Sequence, residues 1–328
     1  MVNLVDIVLM GLLVITALAI TRMRDLFAIV MLFGIYSLVS AAFFVNLDAV
    51  DVAMTEAAVG AGISTVLMLG TLAMTTRREK PRVHGRLLPL FVVSVTGMAL
   101  IYGTLDMPHF SEPTAPVHMH VAPHYIQKSG QEIDIPNIVT SVLASYRGYD
   151  TLGETVVVFT AGLGVLTLLG GFGGAAPAPA SAAMSHHLIL RIIIKALIPL
   201  ILLYALYIQF HGEYGPGGGF QAGVVFASAF IIYAIVFGTA IVKLVIPPRI
   251  LHTLMAIGVL VYGGTGVVSM LSGGEFLNYN VLNTDPVHGQ HLGIILVEIG
   301  VGITVATVML SIFLDFAGRR AASRGEQQ

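Results

Sequence analysis

The sequence has no cysteine and no tryptophan, and only 10% of its residues are charged. The missing cysteine excludes disulfides, zinc–thiolate sites, iron–sulfur clusters and thiol catalysis. It says nothing about compartment. The missing tryptophan leaves tyrosine to supply any interfacial belt. Soluble proteins carry about 25% charged residues. At 10%, this chain of 328 residues does not read as the two or three soluble domains its length suggests. Disorder needs low hydrophobicity and high net charge. Here 56% of residues are apolar and the net charge is −2. The same balance, with no basic stripe outside the loops, argues against nucleic acid as a partner. There is no Ser-His-Asp set, no P-loop and no HExxH run, so nothing points to covalent catalysis, and no cofactor is implied.

What the chain does have is long apolar runs, with a mean hydropathy of +0.89. A helix needs about 20 mainly apolar residues to cross the hydrocarbon. Nine such runs cover residues 3–20, 27–46, 52–75, 87–104, 137–171, 188–210, 219–245, 250–271 and 290–315. The fifth opens with an amphipathic stretch. The runs are too long and too unbroken for outer-membrane strands. The fold class predicted is all-α, a polytopic membrane protein of about nine spans. The first run lacks a basic flank and a small-residue cleavage site, so it is expected to stay as a span.

Basic residues fix the expected orientation. All but three of the 16 lysines and arginines fall in loops 1–2, 3–4 and 7–8, at the start of span six, or in the C-terminal tail. The exceptions are Lys128, Arg147 and Lys195. That asymmetry places the N-terminus outside and the C-terminus in the cytoplasm.

Three blocks follow from the pattern. Residues 1–80 hold three spans. Residues 81–175 hold two spans around an outer His-rich loop (105–136). An Ala/Pro/Gly linker occupies 170–187, with the composition of a seam between two joined chains. Residues 186–320 hold four spans, and 321–328 form a cytoplasmic tail.

A charge at mid-bilayer costs about 2.5–3.5 kcal/mol on insertion scales, so each needs a reason. Glu56, Glu154, Lys195 and Glu298 lie within or near spans. They read as an ion or proton pathway, or as internally paired groups that lock helices. Burial moves carboxylates and ammonium groups towards neutrality, which suits Glu and Lys to a relay and Arg less. Arg147 and Asp150 read instead as an interfacial structural ion pair. Gly60 and Gly62 follow Glu56 by about one turn. They read as close helix packing, or as a π-type defect that frees backbone groups beside Glu56.

The run HGEYGPGGGFQAG (211–223) cannot continue a helix. It lacks the GK[ST] ending of a phosphate loop. Gly217, Gly218 and Gly219 therefore read as a tight turn that lets another chain approach. His211 and Glu213 are candidates for the mouth of an ion path, with a turn hydrogen bond as the simpler role for His211. His109, His118, His120 and His124 have spacings that suit zinc or copper, but solvated loop histidines are the default reading and no metal site is assigned.

DVAMTEAAVGAGISTVLML resembles the helix near the end of the large MrpA-type subunit of Mrp-type multisubunit cation/proton antiporters. It is also similar to a small MbhD-like subunit of membrane-bound hydrogenases and to the third helix of the J-type protein of complex I. The second block, with IPNIVTSVLASYRGYDTLGETVVVFTAGLGVLTLL, is similar to the extreme C-terminal (MbhE-like) segment of the same MrpA-type subunit. Asn137, Arg147, Gly148, Asp150, Thr151, Leu152, Gly153 and Glu154 carry that likeness. Ser145 departs from it, since many relatives have Asp there. Residues 186–320 resemble the MnhB/MrpB family of subunits through the Pro-Gly-Gly-Gly-Phe turn. Gln221 and Ala222 depart from its usual pattern.

The resemblance implies a fusion of the MrpA-type tail with an MrpB-type subunit, without the large antiporter body of the former. It implies one membrane subunit of a complex that exchanges Na⁺ or another monovalent cation for H⁺ in a bacterial or archaeal inner membrane. The implied partners are the large antiporter-like subunits and small membrane subunits. It ranks Glu56 first among ion-path residues. A structural coupling subunit without an ion path stays open, as does recruitment to a redox or inorganic-carbon-uptake complex. A free-standing transporter fits less well, because the chain shows no inverted repeat.

Overall fold

The computed structural model describes residues 4–73, 75–80, 87–109, 112–169 and 187–325. Linker residues 170–186 lie outside them, as do residues 326–328 of the tail. Nine helices among the described residues are long and apolar enough to cross a membrane. In chain order these begin with α1 (Leu4–Arg22), α2 (Leu26–Asn46), α3 (Val50–Leu72) and α4 (Leu87–Thr104). The His-rich loop contributes α5 (Val121–Glu132), which is too short to span. Then come α6 (Gly148–Leu168), α7 (Leu188–His211) and α8 (Gly219–Phe237), the short α9 (Thr239–Val245), α10 (Pro248–Leu271) and α11 (Pro286–Gly325). No strand forms among these residues, only a bridge between Asp25 and Arg78. An all-helical result is what lipid demands, because each helix satisfies its own backbone.

Two expected spans are interrupted. Residues 137–171 divide into a short helical piece, a π-helical Ser141–Tyr146 and α6. Residues 219–245 divide at Gly238, whose φ of 99° lies in the left-handed region. That glycine ends α8 and turns the chain into α9.

The core lies in the C-terminal half. Helices α8, α10 and α11 meet through glycines. A side chain at Gly223 would stand 2.7 Å from the Gly302 carbonyl, and one at Gly300 would stand 2.7 Å from the Gly258 carbonyl. Only glycine lets the backbones approach this closely. Helix α6 docks on the same core, where Gly162 faces Val308 and Met255. In the N-terminal half, α1 packs on α2 and α2 on α3. Helix α4 buries none of its residues.

The loops carry local capping. Asp25 caps α2 through the amides of Phe27 and Ala28 and pairs with Arg77 at 2.9 Å. The Arg77 guanidinium holds the Asp25 carboxyl below its ordinary value, with help from the Ala28 and Phe27 amides.

Candidate functional site

Span three is where local sequence matters first. The π-helical segment Ala57–Ser64 begins immediately after Glu56. Both readings of the glycines are realised, but by different residues. A side chain at Gly60 would strike Ser37 of α2 (2.5 Å) and the Glu56 carboxylate (2.8 Å). At Gly62 it would meet little beyond the Ala57 carbonyl at 3.5 Å. Gly60 is thus the packing glycine, and the π turn surrounds both. Glu56 lies over Gly60, beside α2.

A cavity of about 570 Å³ opens where α3, α6, α8 and α11 converge. Its walls are mostly apolar. Asp51, Glu154 and Glu298 also line it, with Thr55, Gln221 and Tyr262. The Pro-Gly-Gly-Gly turn builds one wall. Glu298 sits against it: side chains at Gly212 and Gly218 would stand 3.3 and 3.2 Å from its two carboxylate oxygens. Gly218 needs its freedom for a second reason, a φ of 117°. At Gly219 a side chain would overlap the Glu298 carbonyl and stand 3.0 Å from the Gly302 amide. The three glycines are therefore the surface on which α11 presents Glu298.

Glu298 also borders a second, small cavity of about 40 Å³, shared with Gln209 and Glu213. Such a volume is enough for a water molecule. One Glu213 oxygen lies 3.2 Å from His291 Nδ1, and the other is buried without a hydrogen-bond partner. The His211 ring stacks on Tyr207 at 4.8 Å. It is the His211 carbonyl, rather than the imidazole, that holds the turn, accepting from the Tyr214 and Gly215 amides.

Polar bonds join the three blocks around the cavity. The Asn137 amide donates to the Asp51 carboxylate (3.2 Å) and to the Gly212 and Gly215 carbonyls (3.1 and 2.9 Å). The Thr140 hydroxyl donates to the Gly212 carbonyl at 2.6 Å. Gln221 donates to the Thr55 hydroxyl at 2.7 Å. Two fully buried tyrosines complete the seam. Tyr262 donates to the Gly148 carbonyl (2.7 Å) and Tyr279 to the Ala144 carbonyl (3.0 Å). Burial raises the Tyr279 phenol above its ordinary value, which keeps it a donor. Reading the sequence missed these tyrosines and Gln221. A tyrosine deep in an apolar run was the available signal, since its hydroxyl needs a partner.

The structure brings Glu154 and Glu298 to one cavity and leaves Glu56 outside its lining. Lys195 lies on an exposed face of α7, 5.5 Å over the Phe237 ring, with Arg191 over the same ring. Arg147 and Asp150 form an exposed pair at 2.5 Å. Ser145 bonds Gln290 instead of taking part in that pair. The loop histidines do not assemble: no group of three or more metal-ligating side chains occurs among the described residues.

The chain is thus a multi-pass membrane protein with carboxylates gathered at a seam between its segments. Comparison with known proteins gives that class a family. Residues 189–311 match the model of a domain related to the MnhB subunit of Na⁺/H⁺ antiporters. Residues 11–77 and 85–187 match the models of the D and E subunits of MBH. A putative antiporter subunit mnhB2 of Staphylococcus aureus (strain Newman) is 34% identical over 139 residues, which cover 42% of this chain and 98% of that one. A K⁺/H⁺ antiporter A/B subunit of Rhizobium meliloti (strain 1021) is 29% identical over 90% of this chain and 32% of its own length. Among solved structures, a chain of the Mrp complex from Dietzia sp. DQ12-45-1b superposes with a TM-score of 0.78 at 26% identity. The match covers 97% of this chain and 35% of that one. The chain belongs to the MnhB family of antiporter subunits, with an MrpA-type tail fused ahead of the MnhB domain. It spans about a third of the length of the Rhizobium relative and of the matched Mrp chain.

Proposed function

We propose that the chain is one membrane subunit of a complex that exchanges a monovalent cation for protons, and that Glu298 and Glu154 belong to its ion path. The carrying observation is the placement of Asp51, Glu154 and Glu298 around one cavity where the MrpA-type tail meets the MnhB domain. Carboxylates held at such a seam suit proton or cation transfer. Glu56 is assigned to the same path one helix further in, where the π turn loosens the backbone beside it. Lys195, on an exposed face, is assigned to contact with a neighbouring subunit. Large antiporter-like subunits and other small membrane subunits are the partners, since this chain corresponds to a fraction of its longer relatives. The N-terminus faces outward and the C-terminus the cytoplasm, in a bacterial or archaeal inner membrane.

A second reading has its own support. The bonds from Asn137, Thr140, Gln221, Tyr262 and Tyr279 tie the blocks together whether or not ions pass. In that reading the chain couples neighbouring pumps mechanically. Glutamine at Glu298, and separately at Glu56, decides between the two. We expect cation-dependent proton flux in membrane vesicles to be lost while the complex still assembles. Normal flux in both assembled variants would sink the ion path and leave the coupling role.

A further inference from the structure

The large cavity has features that a passage for small ions does not require. Its volume of about 570 Å³ lies within the usual range of small-molecule sites, about 300–1,000 Å³. Much of its wall is aliphatic: Val139, Leu143, Val157, Val158, Val297 and Val301 line it. A bare cation would leave that surface against water, at a cost proportional to its area. The polar groups are few and of one sign. Three carboxylates line the cavity, and no Lys, Arg or His does among the described residues. Neither Glu154 nor Glu298 takes part in an ion pair among those residues.

The mouth is apolar as well. Val157 is 67% exposed and Leu143 46% exposed, and both line the cavity while lying on the outer face of the bundle. Glu154 is exposed beside them, one turn before Val158 on α6. An entrance edged by aliphatic side chains on a membrane-spanning helix faces hydrocarbon, not water. A ligand that enters there must dissolve in the bilayer. A ligand that stays there gains by carrying positive charge to Glu298 and Glu154.

We propose that this cavity binds a hydrophobic organic cation, an ammonium or guanidinium group carried on an apolar body, which enters sideways from the membrane. The charged head meets the Glu298 and Glu154 carboxylates, and the body fills the valine-lined space. The site shares the carboxylates of the proposed ion path but does not depend on their carrying ions.

The test is binding without any ion gradient. The tagged full chain, purified with its co-purifying subunits and placed in nanodiscs, is dialysed against 1-naphthylmethylammonium or its neutral isostere 1-naphthylmethanol. Uptake by empty nanodiscs is subtracted. The ammonium is expected to bind about tenfold more tightly than the alcohol, the size of one charge-assisted contact. The double variant E154Q/E298Q is expected to lose that preference while still taking up the alcohol. Val157→Trp adds bulk at an exposed position, so it narrows the mouth without repacking the core, and it is expected to abolish uptake of both. Equal binding of the two compounds overturns the proposal, as does a preference that survives in the double variant, or uptake that ignores Val157→Trp. Uptake by the isolated chain but not by the assembly also overturns it, because a neighbouring subunit then fills the cavity. Lost flux in Glu298→Gln without amine binding leaves the ion path standing and removes the organic-cation site. Amine binding with normal flux in that variant does the reverse.

Discussion

Helices α1 and α11 are both strongly apolar, yet 6% of one and 61% of the other is buried. Hydropathy therefore says that both cross a membrane and nothing about what they touch. Glycine marks the difference only in context. In α8, α10 and α11, a side chain at Gly219, Gly223, Gly258, Gly300 or Gly302 would press on a neighbouring helix. In α1 and α4, Gly11, Gly97 and Gly103 have nothing within 4 Å. The C-terminal half is a self-sufficient packed unit, and the first four spans offer open faces to lipid or to other subunits. Water drives neither arrangement inside a bilayer, so close packing and buried polar bonds decide which helices hold together.

The largest expected break of this contrast is at Gly219. Alanine there overlaps the Glu298 carbonyl, and overpacking of this kind costs about 3 kcal/mol, the upper end of its usual range. Gly97→Ala in α4 meets open space and is expected to stay within about 0.5 kcal/mol of the parent. Thermal unfolding in detergent compares the two, and equal losses would mean that α4 is packed as tightly as the core. Next comes Tyr262→Phe, which leaves the buried Gly148 carbonyl without its donor. A loss of about 1–3 kcal/mol is expected in the same assay. An unchanged melting temperature would show that this seam bond adds nothing to the joining of α6 and α10.

The smallest effect belongs to the exposed Asp25–Arg77 pair, which ties the loop before α2 to the segment after α3. The Asp25 carboxyl is held below its ordinary value of 3.8, first by the Arg77 hydrogen bond. A depressed carboxyl stabilises above its unfolded value and loses that contribution as pH falls through the folded one. Arg77→Ala should therefore differ slightly from the parent near neutral pH and not at all in strong acid. Melting curves from neutral pH downward check this, and a gap that widens in acid would reverse the assignment.

Parts of the site were legible in the residues. The Pro-Gly-Gly-Gly turn announced a close approach, and Glu298 sits against it. Span three offered packing or a π defect, and the helix contains both, because the wider π turn places Gly60 against Ser37. Lys195 and Glu298 looked alike as charges in apolar runs. Helix rotation separates them, sending one to an exposed face and the other to a shared cavity. The Gln221–Thr55 bond spans 166 residues, and no spacing rule reaches that far.

By itself, the sequence determined that this chain is helical and crosses a membrane about nine times. Apolar runs of that length have no other way to satisfy their backbones in lipid. It also carried the family, through motifs local enough to read along one helix or one turn. Only the tertiary structure decided which carboxylates meet, which tyrosines close the seam and which spans stand open. Those outcomes depend on the rotation and contact of helices distant in the chain, and an apolar helix has no preferred face until another helix supplies one.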